Sequence, residues 1–285
     1  MKIGGSSILV LGAYGEVGAA VCRRLLAHEP ARLVVSSLTE SEADHAGRTL
    51  GSISQGDCEI IPVYGNLFLR GSWKDRTVAE IFHDPLLLSH HVSDTFGDLN
   101  ETILNENLLF QLITRYRPHI VVDCVTTATA ISYLDIYQTY GKIAGTQQKG
   151  QMEDDLCAQI FATVSLPPLI RHIQILAEAM KRSETGLYLK IGTTGTGGMG
   201  FNIPFTHGEE NPSRLLMTKT AVAGAHSMLL FVLNRTPGAP VIREIKPAAM
   251  IGWKDMGKGA IARRGKKIPL YRCTMEDRHI LTDGD

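Results

Sequence analysis

Three glycines, Gly12, Gly15 and Gly18, recur at three-residue spacing in ILVLGAYGEVGAA, between a short apolar run and a helical pattern. A tight turn leaving a buried strand aims the first amides of a helix at one point. Glycines there let a diphosphate approach the backbone and let the helix pack on the sheet. The expected contacts are Gly12, Tyr14, Gly15, Glu16, Val17 and Gly18, and the expected ligand is a dinucleotide. An acidic residue closing the second strand normally accepts hydrogen bonds from the adenosine ribose of NAD. Here that end reads Val35-Ser36-Ser37, with no carboxylate before Glu40. Missing negative charge tolerates a 2′-phosphate, so NADP is expected ahead of NAD, with Ser36 and Ser37 at the ribose and Arg23, Arg24 or Arg32 as the cations in reach. Asn66 and Leu67, directly after the third strand, are placed to flank the adenine.

A second candidate is Lys219, set between Leu215, Leu216, Met217 and a run of small residues in SRLLMTKTAVAGAH. A desolvated, unpaired ammonium costs several kcal/mol, so something must compensate it. Either its stem lies along apolar surface with the charge in water, or it has a partner in a site. The basic run Arg263-Arg264-Gly265-Lys266-Lys267 is a solvated loop or a contact for an anionic substrate group. His90 and His91 are adjacent, so they point apart on a helix or strand, and no neighbouring cluster completes a metal site. Five scattered cysteines, none in CxxC spacing, indicate neither a disulfide framework nor thiolate zinc.

The elements that must position these groups follow from the apolar pattern. At 285 residues, 44% hydrophobic and 20% charged, the chain can fill a large α/β core. Twenty-nine basic residues balance 29 acidic ones, which argues against nucleic-acid or membrane-surface partners and leaves a small-molecule substrate as the expected partner. No long apolar stretch opens the chain and none reaches spanning length, so a cytoplasmic location is expected.

Strands are expected at SSILVLG, ARLVVSS, CEIIPVYG, HIVVDCV, GLYLKIGTT and PVIREIKPAAMIG. Helices are expected at GEVGAAVCRRLLAH, with Val17, Val21 and Leu25 on one face, and at ETILNENLLFQLITRYR as one amphipathic helix. Two more follow, at LPPLIRHIQILAEAMKR and from about 212 to 233. Short apolar strands alternating with helices imply an α/β fold, a doubly wound parallel sheet of Rossmann type with helices on both faces. The dinucleotide-binding domain is expected over 1–240, with insertions near 68–100 and 130–160. A partial or reduced substrate-binding region is expected over 241–285.

With these pieces in order, the chain resembles the short-chain dehydrogenase/reductase superfamily, in its extended branch of NAD(P)-dependent epimerases and dehydratases. The resemblance is carried by GxxGxxG at Gly12, Gly15 and Gly18, by Gly65-Asn66-Leu67 in place of Gly-Asp-Leu, and by RPHIVVDCVTTAT around the fourth strand. KIGTTGTGGMG, PFTHGEENPSRLLMTK and IKPAAMIG are similar to the later family segments. It implies that Thr193 or Thr194 holds the substrate oxygen, that Lys219 hydrogen-bonds the nicotinamide ribose, that Val125 and Thr126 line the cofactor and that Pro247 closes over the nicotinamide. It also implies a homodimer through the helices at about 103–116 and 167–182. One departure is sharp. The family's catalytic tyrosine, four residues before the lysine, is Leu215 here, and leucine cannot carry a proton. Tyr133, Tyr137, Tyr140 and His207 are the candidate replacements; the alternative is a non-catalytic NAD(P)-binding sensor or scaffold. The family continues beyond the stretch at which this chain stops, so the chain is either a short member with a reduced lid or part of a longer protein.

Overall fold

Ser7–Leu11 (β1) is withdrawn from water at every position. A strand apolar on both faces belongs in the middle of a sheet with helices above and below. A computed structural model describes residues 2–54, 56–127, 160–191, 214–245, 262–263 and 266–267, and the element numbers below count described elements. β1 pairs in parallel with Arg32–Ser37 (β2) on one side, Leu9 opposite Val34. On its other side runs Ile120–Asp123 (β4), with Leu9 opposite Val121. Glu59–Tyr64 (β3) extends the sheet beyond β2, and Leu187–Ile191 (β5) and Val241–Ile245 (β6) extend it beyond β4. The order is β3-β2-β1-β4-β5-β6, all parallel, so the strand order reverses between β1 and β4. This is the doubly wound Rossmann-type arrangement, and its reversal point is where such sheets leave a crevice.

Alternation along the strands divides the core. Ile8, Val10, Leu33, Val35, Ile120 and Val122 face Cys22 of Glu16–Leu26 (α1) and Leu50 of Glu40–Ile53 (α2). On the other face Leu9, Leu11, Val34, Val121 and Tyr188 meet Leu109 and Ile113 of Leu108–Tyr116 (α6). Leu176 and Met180 of Leu166–Arg182 (α7) join the same cluster. Between β3 and α6 lie Val78–His83 (α3), Pro85–Phe96 (α4) and Glu101–Glu106 (α5). Arg214–Leu233 (α8) crosses from β5 to β6.

Three local outcomes differ from the sequence expectation. Val17 is 38% exposed, because α1 packs through Gly18 and Cys22, with Val21 and Leu25 only partly covered. The expected single helix at 101–117 is two, α5 and α6. Asn107 interrupts it: its Oδ1 caps α6 by accepting from Phe110 N at 3.2 Å, and its Nδ2 donates to Leu69 O at 3.4 Å. The stretch from Asn66 to Asn100, left unassigned by periodicity, holds α3 and α4, each started by a side-chain cap at Thr77 and Asp84. Met1–Ala249 forms one compact unit and Met250–Asp285 a second. In the second unit the described residues are an antiparallel pair, Ala262–Arg263 (β7) with Lys266–Lys267 (β8).

Candidate functional site

The crevice lies at the C-terminal ends of β1 to β4 and has a volume of about 490 Å³, within the range of small-molecule sites. Its floor is the glycine turn. Gly12 N and Ala13 N donate to Ser36 O at 2.9 and 2.8 Å, tying the turn to β2. Gly12 has φ +77°, a conformation that side chains disfavour, and a Cβ there would lie 3.2 Å from Val125 N. Gly18 is constrained by contact: a Cβ would fall 2.0 Å from Gly12 O, so α1 can sit on the turn only without one. Gly15 is the N-cap of α1 and offers no side-chain cap, which leaves the first amides of the helix for an anion. Tyr14, 47% exposed, stands at the rim with its ring edge-on to His45 at 5.7 Å. Glu16 and Val17 are exposed in the first turn of α1 and do not line the crevice.

Ser36 and Ser37 are both buried in the wall. Ser37 O accepts from Gly65 N at 3.0 Å, but Ser37 Oγ has no hydrogen-bond partner among the described residues. An orphaned buried hydroxyl costs about 1–3 kcal/mol, and a ligand hydroxyl entering the crevice would satisfy it. Asn66 Oδ1 accepts from Phe68 N at 3.0 Å, which shapes the segment carrying Leu67 along the next wall.

The charges at this end include one beyond the stretch Val35-Ser36-Ser37. Glu42, on the first turn of α2, lines the crevice; its Oε2 accepts from Leu38 N and Thr39 N at 3.1 and 3.3 Å as part of a capping box. The end of β2 itself carries no carboxylate, as the sequence reads, and the one in the lining is delivered from the following helix. The three arginines do not reach this end. Arg23 and Arg24 lie in the last turn of α1, Arg23 about 10 Å along the axis from its start. Arg32 opens β2, about 17 Å from Ser37, and is spent on Ser7 Oγ at 2.9 Å and Tyr116 O at 2.5 Å. Lys74 stands nearer, its ammonium 4.1 Å from the centre of the Tyr64 ring at the end of β3.

The far wall, Val125 and Thr126, is held by a buried polar group that periodicity did not reveal. Asp123 Oδ1 accepts from Val125 N at 2.8 Å, and its Oδ2 accepts from Tyr188 OH at 2.6 Å. Lys190 Nζ lies 3.0 Å from the same oxygen and donates to Val125 O at 2.6 Å and Thr127 Oγ1 at 3.3 Å. Burial opposes ionisation of Asp123, but the Lys190 ammonium and the Tyr188 hydroxyl outweigh it and hold the carboxyl below its usual range. Burial, then the Asp123 charge, pushes the Tyr188 phenol well up. His172 joins from α7, its ring 4.7 Å from Phe68 and 6.4 Å from His226. Burial pushes its imidazole down to about 3. The sequence signal was a Tyr and a Lys two residues apart inside an apolar strand, with an Asp closing the neighbouring strand.

Lys219 is half-buried in α8 and lies outside the lining of this crevice. It stands seven residues, about 10 Å along the axis, before His226, whose charge acts on Asp123 at the end of β4. Leu215 occupies the helix one turn before Lys219. Thr193, Thr194 and Pro247 lie outside the described residues, as do Tyr133, Tyr137, Tyr140 and His207.

The strand order and glycine turn define a Rossmann-type α/β fold. No protein-family model matches the chain, and no curated protein matches it. Among solved structures, Pen from Bacillus thuringiensis is 9% identical with a TM-score of 0.43; 86% of this chain and 51% of that one are covered, so the chain spans about half its length. A short-chain dehydrogenase from Sphingobium yanoikuyae in complex with NADPH is 15% identical, TM-score 0.40, covering 86% of this chain and 71% of that one. The Bordetella bronchiseptica enzyme WbmH in complex with NAD+ is 12% identical, TM-score 0.38, covering 89% and 59%. At these scores the likenesses add nothing to the fold, which the strand order of this chain defines by itself.

Proposed function

We propose that the crevice binds a nicotinamide dinucleotide and that the chain is an NAD(P)-dependent oxidoreductase, or a related epimerase or dehydratase, acting on a small hydroxyl or carbonyl compound. The observation that carries this is the glycine turn, closed so tightly that Gly18 admits no Cβ, opening an uncapped α1 toward the crevice. The orphaned Ser37 hydroxyl fits the same ligand, since a ribose presents hydroxyls at that wall. The bound cofactor would supply hydride transfer. The chain's part is to seat the diphosphate on the α1 amides, to meet the adenosine ribose with Ser37 and Glu42, and to steady the nicotinamide ribose with Lys219. Glu42 in the lining favours NAD, since a 2′-phosphate there meets a carboxylate; NADP, the sequence expectation, would need Lys74 to offset it. The homodimer belongs to the same proposal.

A second reading rests on Leu215. Without a phenol before Lys219, a positioned proton donor worth roughly 10²–10⁴-fold in rate has to come from elsewhere, or the chain binds the dinucleotide without turning it over. Thermal unfolding with NADH and NADPH tests the shared part: a saturable rise with at least one cofactor, largely lost in Lys219→Ala, is expected. No rise with either removes the proposal. Binding without turnover over a broad panel of alcohols, carbonyls and nucleotide sugars selects the second reading.

A further inference from the structure

A separate cavity of about 70 Å³ lies behind the Asn66–Leu69 segment, between α4, α6 and α7. On the scale where one water needs roughly 10–15 Å³, it has room for several waters or one small ion. Its polar lining is Asn66, His91, Thr95, Asn107, Arg171 and His172, with no carboxylate among the lining residues. Arg171 is the unusual member. Its Nη2 donates to Gly97 O and, at 3.4 Å, to Thr95 O, while its Nε and Nη1 are buried with no hydrogen-bond partner among the described residues. A guanidinium cannot shed its proton to relieve this, and buried charges in native proteins are paired.

Two carboxylates act on the guanidinium through their charge, Asp94 first and then Asp98, and neither hydrogen-bonds it. Asp94 is held by Arg70 through two hydrogen bonds of 2.5 and 2.6 Å, and Arg70 also pairs with Glu106. Asp98 is exposed and acts on Arg171 only through its charge. The cavity's other titratable groups are His91 and His172, both pushed down by burial; a neutral imidazole can donate one N–H. Asn107 is already spent on Phe110 N and Leu69 O. Water would satisfy the open N–H groups but not the charge.

We propose that this cavity is a binding site for a small oxyanion, a carboxylate or a phosphate, with the Arg171 guanidinium as its counter-ion. The site is distinct from the dinucleotide crevice, sharing with it only the Asn66–Phe68 segment, and does not depend on what the crevice holds.

The test uses the whole chain, without nicotinamide cofactor, titrated with formate, acetate or inorganic phosphate against chloride at matched ionic strength. The expected result is a saturable rise in melting temperature, about 2–4 °C with the anion at roughly five times its Kd, that Arg171→Met abolishes. Phosphate stabilises proteins generally by exclusion, so the difference between wild type and variant is the signal. A rise with formate or acetate assigns a carboxylate site and a rise with phosphate alone a phosphate site. Should Arg171→Met not fold, calorimetric titration of the wild type with the same anions decides. Equal melting in all anions with no binding heat, or a rise that survives in Arg171→Met, overturns the proposal.

Discussion

Replacing His172 with phenylalanine should flatten part of the acid side of the stability profile. The imidazole is 5% exposed, and burial pushes it from its ordinary value of 6.5 down to about 3. The folded chain therefore resists a proton that the unfolded chain accepts. Stability from this group is present above the unfolded value and is lost as pH falls from about 6.5 toward 3. Each pH unit in that window costs about 1.4 kcal/mol, so a fall from 6.5 to 5 costs about 2 kcal/mol, or about 4–8 °C in melting temperature for a fold of this size. Phenylalanine keeps an aromatic ring against Phe68 and does not titrate. Thermal and urea melts of both proteins at roughly pH 7, 6 and 5 give the difference in slope. His91, also pushed down by burial, contributes equally to both proteins and cancels. Any misfit of the larger ring shifts the level at every pH but leaves the slope alone. Parallel profiles for the two proteins would refute the reasoning.

Gly18→Ala places a methyl 2.0 Å from Gly12 O and forces α1 off the turn; loss of dinucleotide binding at least tenfold, read by cofactor fluorescence, is expected, and unchanged affinity would mean that the turn does not seat the ligand. Lys190→Met leaves the Asp123 carboxylate buried without its cation, which should destabilise by about 3–5 kcal/mol in urea unfolding, with part recovered when Asp123→Asn is added; a loss below 1 kcal/mol would show the pair to be dispensable.

The central strands β1, β2 and β4 were legible because each is a short apolar run buried on both faces, whereas β3 and β6, at the two edges of the sheet, are only partly covered and show themselves by their branched residues. The glycine turn was legible for a local reason, since Gly12, Gly15 and Gly18 lie within one turn of each other. What escaped was either a cap or a long-range meeting. α2 went unassigned although Thr39 and Glu42 spell its capping box, and α3 and α4 although Thr77, Glu80 and Asp84 do the same, because those helices bury little apolar surface. The α5–α6 break depends on Leu69 O reaching Asn107 from another segment. Glu42 is not at the position closing β2; it reaches the crevice only because the capping box of α2 turns the first helical turn back toward the strand end. The group around Asp123 joins residues 65 apart in sequence, and no window along the chain contains both partners.

Tyr188 and Lys190 sit two apart on β5 and so point to the same face of the sheet. If β5 docked on β4 one residue out of step, both would turn to the opposite side, stranding a carboxylate in hydrocarbon and burying an amine among aliphatic neighbours. A slipped register between these two strands is therefore penalised by the polar groups themselves. The polar trio works as a register key for the pairing of β4 with β5.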